Sequence, residues 1–143
     1  MGAIVGGFLL PHDPMMFTHP DAPDAPVRDR VHEAYREISR RLAALDPTTV
    51  VIIGTDHYIL SGPGCLPQLL IATGDLDGPI ERLPGLTRGP LPDNAPLARH
   101  IAAHGHRNGV DWAVAPTFTA DHSVVIPYHL VAEPLGLPVI PVY

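Results

Sequence analysis

The sequence predicts an α/β domain: a central, mostly parallel sheet with helices on both faces, forming one unit over residues 1–143. Three observations carry this. Val50–Ile53 are four consecutive β-branched residues between Pro47 and Gly54, and an apolar run without polar alternation is the pattern of a strand covered on both sides. Residues 25–45 repeat apolar side chains at three- and four-residue spacing, as an amphipathic helix does. Two more apolar runs, Ala3–Leu10 and Trp112–Phe118, resemble the Val50 run in handing over to a histidine beside an aspartate. Ligands of open α/β sheets bind at the carboxyl edge of the strands, so these three hand-overs mark one candidate site.

Taken in order, Ala3–Leu10 is the first expected strand, with Gly6 and Gly7 permitting a close approach. Residues 11–26 form a loop rich in proline and aspartate that holds Met15, Met16 and Phe17, and a loop of that length commonly borders a site. The helix Ala25–Leu45 places Val27, Val31, Tyr35, Ile38, Leu42 and Leu45 on one face and arginines and glutamates opposite. Pro26 suits its first turn, Asp24 or Ala25 its cap, and Asp46-Pro47 its end. The Val50–Gly54 strand follows, then a turn at Ser61–Gly64, a strand at Leu66–Thr73 and a loop over residues 74–92. A short helix begins at the cap Asp93, carries Pro96 in its first turn, turns Leu97 and Ile101 inward and ends at Gly105. The strand Trp112–Phe118 leads into a helix capped by Ser123 and running to about Glu133. Leu137–Tyr143 reads as a central strand, and a sequence that stops within one is expected to be incomplete at its C-terminal end.

Composition narrows the function classes. The net charge is −6 and all nine basic residues are scattered arginines, so no basic run follows a phosphate backbone and nucleic acid is not an expected partner. No apolar run reaches the roughly 18–20 residues of a membrane-spanning helix, and Ala3–Leu10 lacks the charged start of a signal peptide. The single cysteine, Cys65, forms no internal disulfide and fits a reducing cytoplasm.

His12, His57 and His122 stand at the ends of three different strands, where residues distant in sequence meet. Neutral imidazole is the commonest ligand for iron, zinc and copper, and the adjacent Asp13, Asp56 and Asp121 are the residue type that fixes imidazole tautomers from the second sphere. His19, in the long loop, lies where it can line the mouth of the site. His100 and His104 form an i, i+4 pair, but HIAAH lacks the glutamate of a HExxH zinc motif. His129 is expected to pack, and Glu33, Glu37, Glu81 and Glu133 to be solvated.

PHDPMMF, VVIIGTDHY and ADHSVVIPYHL resemble, in order and context, the motifs of the class III (LigB-type) extradiol dioxygenases, and the resemblance runs from residue 3 to residue 143. It implies an oxidoreductase that opens a catecholic ring, protocatechuate- or gallate-like, beside its two hydroxyls with non-haem Fe(II) and O₂. It implies His12 and His57 as iron ligands and His122 as the residue that meets substrate and O₂, with Asp56, Asp121 and His19 around them. It also implies a homodimer or a complex with a small second subunit. The family's third ligand, a glutamate, and its main acid–base histidine follow the region that ends here, so this stretch alone is expected to be inactive. Two other readings remain open: a metal-poor binding subunit of the same superfamily, and a zinc enzyme on the same scaffold.

Overall fold

The computed structural model describes residues 2–143. Its helices are α1 (Met15–Thr18), α2 (Ala25–Ala44), α3 (Ala95–Arg107) and α4 (His122–Pro127), and its strands are β1 (Val50–Ile53), β2 (Leu69–Ala72), β3 (Leu76–Gly78), β4 (Gly89–Pro90), β5 (Trp112–Ala115), β6 (Phe118–Thr119) and β7 (Val139–Val142). The main sheet has the order β1-β7-β2-β5. β1 runs parallel to β7 and β2 parallel to β5, with one antiparallel seam where Leu70 and Tyr143 exchange both backbone hydrogen bonds at 2.8 and 2.9 Å.

Alternation along β7 explains how helices cover both faces. Val139 faces one core with Tyr35 and Leu42 of α2 and Val124 of α4, whereas Ile140 and Val142 face a second core with Ala98 and Ala102 of α3. β7 is buried at every position, as its unbroken apolar sequence predicts. α2 matches its expected span, with Tyr35 and Leu42 buried, although Asp24 makes no side-chain cap bond. Among the described residues no helix is long and apolar enough to cross a membrane.

Several expectations are corrected. Ala3–Leu10 is not a strand; Ile4 and Leu9 are 96% and 98% exposed, because no described segment offers the ladder partner that an extended chain needs. β1 is an edge strand covered on one face only, with Val51 47% and Ile53 77% exposed, because α3 spans β2 and β5 and stops short of it. The Trp112–Phe118 run is two strands: after β5 the chain leaves the main sheet and β6 pairs with β3. The stretch 74–92 is mostly loop, as expected, but it also holds β3 and β4, which build a second, three-stranded sheet with β6. Asn94, not Asp93, caps α3 by accepting from the Leu97 N–H at 3.2 Å, and Asp121, not Ser123, caps α4. α4 ends early at Pro127, which has no N–H, and the chain continues as a π-type turn over Tyr128–Ala132 and a 3₁₀ turn over Glu133–Leu135.

The inner face of α3 is Ala98, Ala102 and Gly105 with Ile101 packed beside them as expected, whereas Leu97 is exposed. A Cβ on Gly105 would lie 1.9 Å from Trp112 Nε1, so glycine is what lets helix and strand touch. Gly105→Ala is expected to destabilise the fold by about 1–3 kcal/mol through overpacking, read as a lower unfolding midpoint in denaturant. An unchanged midpoint would show that the indole moves aside freely.

Candidate metal centre

Each of the three histidines is placed by a different local device. His12 follows Pro11, whose carbonyl accepts a 2.6 Å hydrogen bond from the Tyr35 hydroxyl of α2. Burial pushes that phenol up to about 12, so it remains a donor at any ordinary pH. The anchor holds His12 in place without the strand expected before it. Asp13 caps the following turn by accepting from the Met15 N–H at 2.9 Å.

His57 lies beyond the end of β1. Asp56 accepts backbone N–H bonds from Ile59, Leu60 and Ser61 at 3.0–3.2 Å, which folds residues 56–61 into a tight turn. Burial opposes its ionisation, but the backbone N–H groups outweigh it and hold the carboxyl below its usual range. At Gly54 a Cβ would meet Ser123 Oγ at 2.4 Å and Val124 Cγ2 at 3.1 Å, so glycine allows the end of β1 to press against the start of α4. That contact brings His57 to His122, the first residue of α4.

Buried Asp121 ties the elements together. Its Oδ1 accepts from the Ser123 N–H at 2.9 Å, the Ser123 hydroxyl at 2.6 Å and the Tyr143 hydroxyl at 2.9 Å, while Oδ2 lies 3.4 Å from His57 Nδ1. Burial and the Asp121 charge push the Tyr143 phenol well above its ordinary value, so it too stays protonated. A carboxylate only accepts, so Nδ1 of His57 takes the proton and Nε2 keeps its lone pair.

The His57 and His122 rings stack with centroids 4.5 Å apart, and His12 lies 5.3 Å from the first and 5.8 Å from the second. Ligand atoms of all three lie within 4.8 Å of one another. His12 Nε2 and His57 Nε2 are 3.4 Å apart. Two nitrogens bound to one ion at about 2.1 Å each sit roughly 3–3.4 Å apart, so this pair suits a shared cation. Burial, reinforced by the neighbouring His57 and His122, lowers the His12 pKa and favours the neutral imidazole that ligates.

The remaining candidates separate clearly. His19 is exposed, with its Nδ1 2.9 Å from the Thr18 hydroxyl, and does not join the cluster. His100 and His104 stack on an exposed helix face, and no third ligand meets them among the described residues. His129 is half-buried and paired with Glu133 of the following turn. Glu81 corrects the expectation of a solvated carboxylate: its Oε1 lies 2.5 Å from His122 Nδ1. Reading spacing alone missed it, because the small sheet that delivers it looks like loop in the sequence.

The model of the LigB family, described as the catalytic LigB subunit of aromatic ring-opening dioxygenase, matches residues 6–143. This chain belongs to that family. It is 27% identical over 140 residues to a 2,3-dihydroxyphenylpropionate/2,3-dihydroxicinnamic acid 1,2-dioxygenase of Mycolicibacterium smegmatis, covering 94% of this chain and 42% of the relative. It is 31% identical over 127 residues to the like-named protein of Klebsiella pneumoniae subsp. pneumoniae, covering 85% of this chain and 38% of the relative. The LigB chain thus spans about two fifths of the length of the relatives it matches.

Proposed function

We propose that this chain is part of an extradiol ring-cleavage dioxygenase in which His12 and His57 hold Fe(II) and His122 handles a proton of the substrate. The observation that carries the reading is the convergence of three imidazoles from separate segments, with two Nε2 atoms 3.4 Å apart. When bound, the iron supplies the redox chemistry that adds both atoms of O₂ across a ring bond beside two hydroxyls. The protein's own residues do the rest. Asp121 orients His57, and Tyr35 anchors the segment that carries His12. His122, against the His57 ring, accepts a proton from a catechol hydroxyl and returns it as the ring opens. The chain forms one domain that is the N-terminal part of a longer catalytic unit, in keeping with its coverage of the relatives. That unit assembles as a homodimer or with a small second subunit in the cytoplasm.

The relatives' names favour 2,3-dihydroxyphenylpropionate as the first substrate to test, ahead of protocatechuate or gallate. All three are carboxylated catechols. Of the arginines near the middle of the chain, Arg88 is held by Asp77 and Thr119 and Arg99 by the Thr73 carbonyl. Arg82, exposed and next in sequence to Glu81, makes no such bond among the described residues and is the arginine to test first for pairing with a substrate carboxylate.

The test is metal analysis of the anaerobically purified full-length protein together with oxygen uptake on these three catechols. One iron per site with uptake and a yellow product supports the proposal; bound zinc without uptake, or no metal at all, overturns it. His122→Phe is expected to keep the iron and lose at least about 100-fold in turnover, the scale of a general acid–base group. Normal turnover in that variant would make His122 structural.

A further inference from the structure

Glu81 is a carboxylate at the site that the family resemblance does not assign. Its Oε1 lies 2.5 Å from Nδ1 of His122 and 3.3 Å from the His122 backbone N–H, so one oxygen receives both the ring and the main chain of the same residue. Both side chains are largely buried, with 22% of Glu81 and 11% of His122 exposed. Most surface carboxylate–histidine pairs are worth little, because water competes for both partners and neither is held. Here both are held.

The backbone around Glu81 is fixed by the second sheet. β3 pairs in parallel with β6, the Ile80 N–H donates to the Ala120 carbonyl at 2.9 Å, and Gly78 packs so closely on Ala120 that a Cβ would meet its carbonyl oxygen at 3.0 Å. Residues 78–81 therefore travel with residues 118–122 as one body. The cost of the arrangement is also visible: Glu81 Oε2 is buried with no hydrogen-bond partner among the described residues. A buried acceptor left unpaired is unfavourable, and such groups persist where the geometry serves another purpose.

Resting on the reading of His122 as the proton-handling residue, we propose that Glu81 is its positioning residue. It locks the ring with Nδ1 protonated, so that Nε2 is the nitrogen that exchanges a proton with the catechol hydroxyl. The physical reason is the acceptor-only character of a carboxylate: facing Nδ1, it admits only the tautomer or cation that carries hydrogen there. A free imidazole in water has no such constraint. Asp121 imposes the same choice on His57 from the other side of the pair, so two carboxylates set two adjacent imidazoles for different tasks.

The test uses the full-length protein and two variants, Glu81→Leu and Glu81→Gln. In the metal-free wild type, long-range proton–nitrogen NMR correlations are expected to show His122 protonated at Nδ1. Glu81→Leu is expected to move that proton to Nε2. With iron loaded, kcat on 2,3-dihydroxyphenylpropionate is expected to fall about 10–100-fold in Glu81→Leu, with iron content and KM unchanged. Glu81→Gln, which keeps the shape and a neutral acceptor, is expected to retain the Nδ1–H tautomer and recover part of the lost kcat; it also carries the test if the leucine variant does not fold. A wild-type His122 protonated at Nε2, a tautomer unmoved in Glu81→Leu, or a Glu81→Gln enzyme as slow as Glu81→Leu would overturn the proposal. The NMR arm does not depend on turnover, so a protein that cleaves no catechol would remove the dioxygenase reading while leaving the Glu81–His122 lock to be judged by its tautomer.

Discussion

Replacing either His57 or His12 by alanine is expected to abolish iron binding in the full-length protein, weakening metal affinity by at least about 100-fold. The argument begins with the donor atoms. Their Nε2 atoms lie 3.4 Å apart, and the Nδ1 of His57 is already directed to Asp121, which leaves its Nε2 for a cation beside that of His12. Removing one imidazole leaves one of the two proposed ligands from this part of the chain, and His122, whose ring is fixed in place by Glu81, does not move into the vacated position. The fold should tolerate the change. His57 is exposed and His12 half-buried, so an alanine at either position leaves no large cavity. The measurement is iron per protein after anaerobic loading and desalting, beside an unfolding curve. Full iron stoichiometry in either variant would refute the ligand assignment.

Asp121→Asn is expected to separate metal affinity from stability. The three bonds at Oδ1, from the Ser123 N–H, the Ser123 hydroxyl and the Tyr143 hydroxyl, all need only an acceptor, which an amide oxygen supplies. The other atom of the group becomes an NH₂, a donor facing Nδ1 of His57. Two donors cannot pair, so His57 is driven to carry its proton on Nε2, the nitrogen needed for metal. Affinity should fall about 10–100-fold, in line with the loss of a carboxylate behind a ligating histidine. Stability should fall by only about 1 kcal/mol, because a neutral acceptor replaces a charged one without leaving a hole. Competition with a chelator of known affinity, set beside a denaturant titration, reads both quantities. A large stability loss with unchanged affinity would make Asp121 a structural hub and nothing more.

The helices were the most legible part of the sequence. α2 follows from its apolar spacing and Pro26 almost to the residue, because a 20-residue amphipathic face needs only one surface to pack on. β7 was equally clear, since a strand buried on both sides has no polar position to confuse it. Val50–Ile53 shows the limit of the same rule: an identical apolar signal describes an edge strand with one bare face, because sequence records what a residue tolerates, not what happens to lie above it. Ala3–Leu10 fails for a related reason. A strand is a property of two segments, and its own residues cannot supply the partner.

The site divides along the same line. Which residues come together, His12, His57 and His122, was legible in the sequence through three apolar runs that each lead to a histidine beside an aspartate, and through the family motifs. How they are held was decided only in three dimensions. Tyr35 reaches Pro11 across 24 positions, Asp121 reaches His57 across 64, and Glu81 reaches His122 across 41. Such contacts leave no local pattern, because a hydrogen bond constrains the distance between two atoms and not the number of residues along the chain between them.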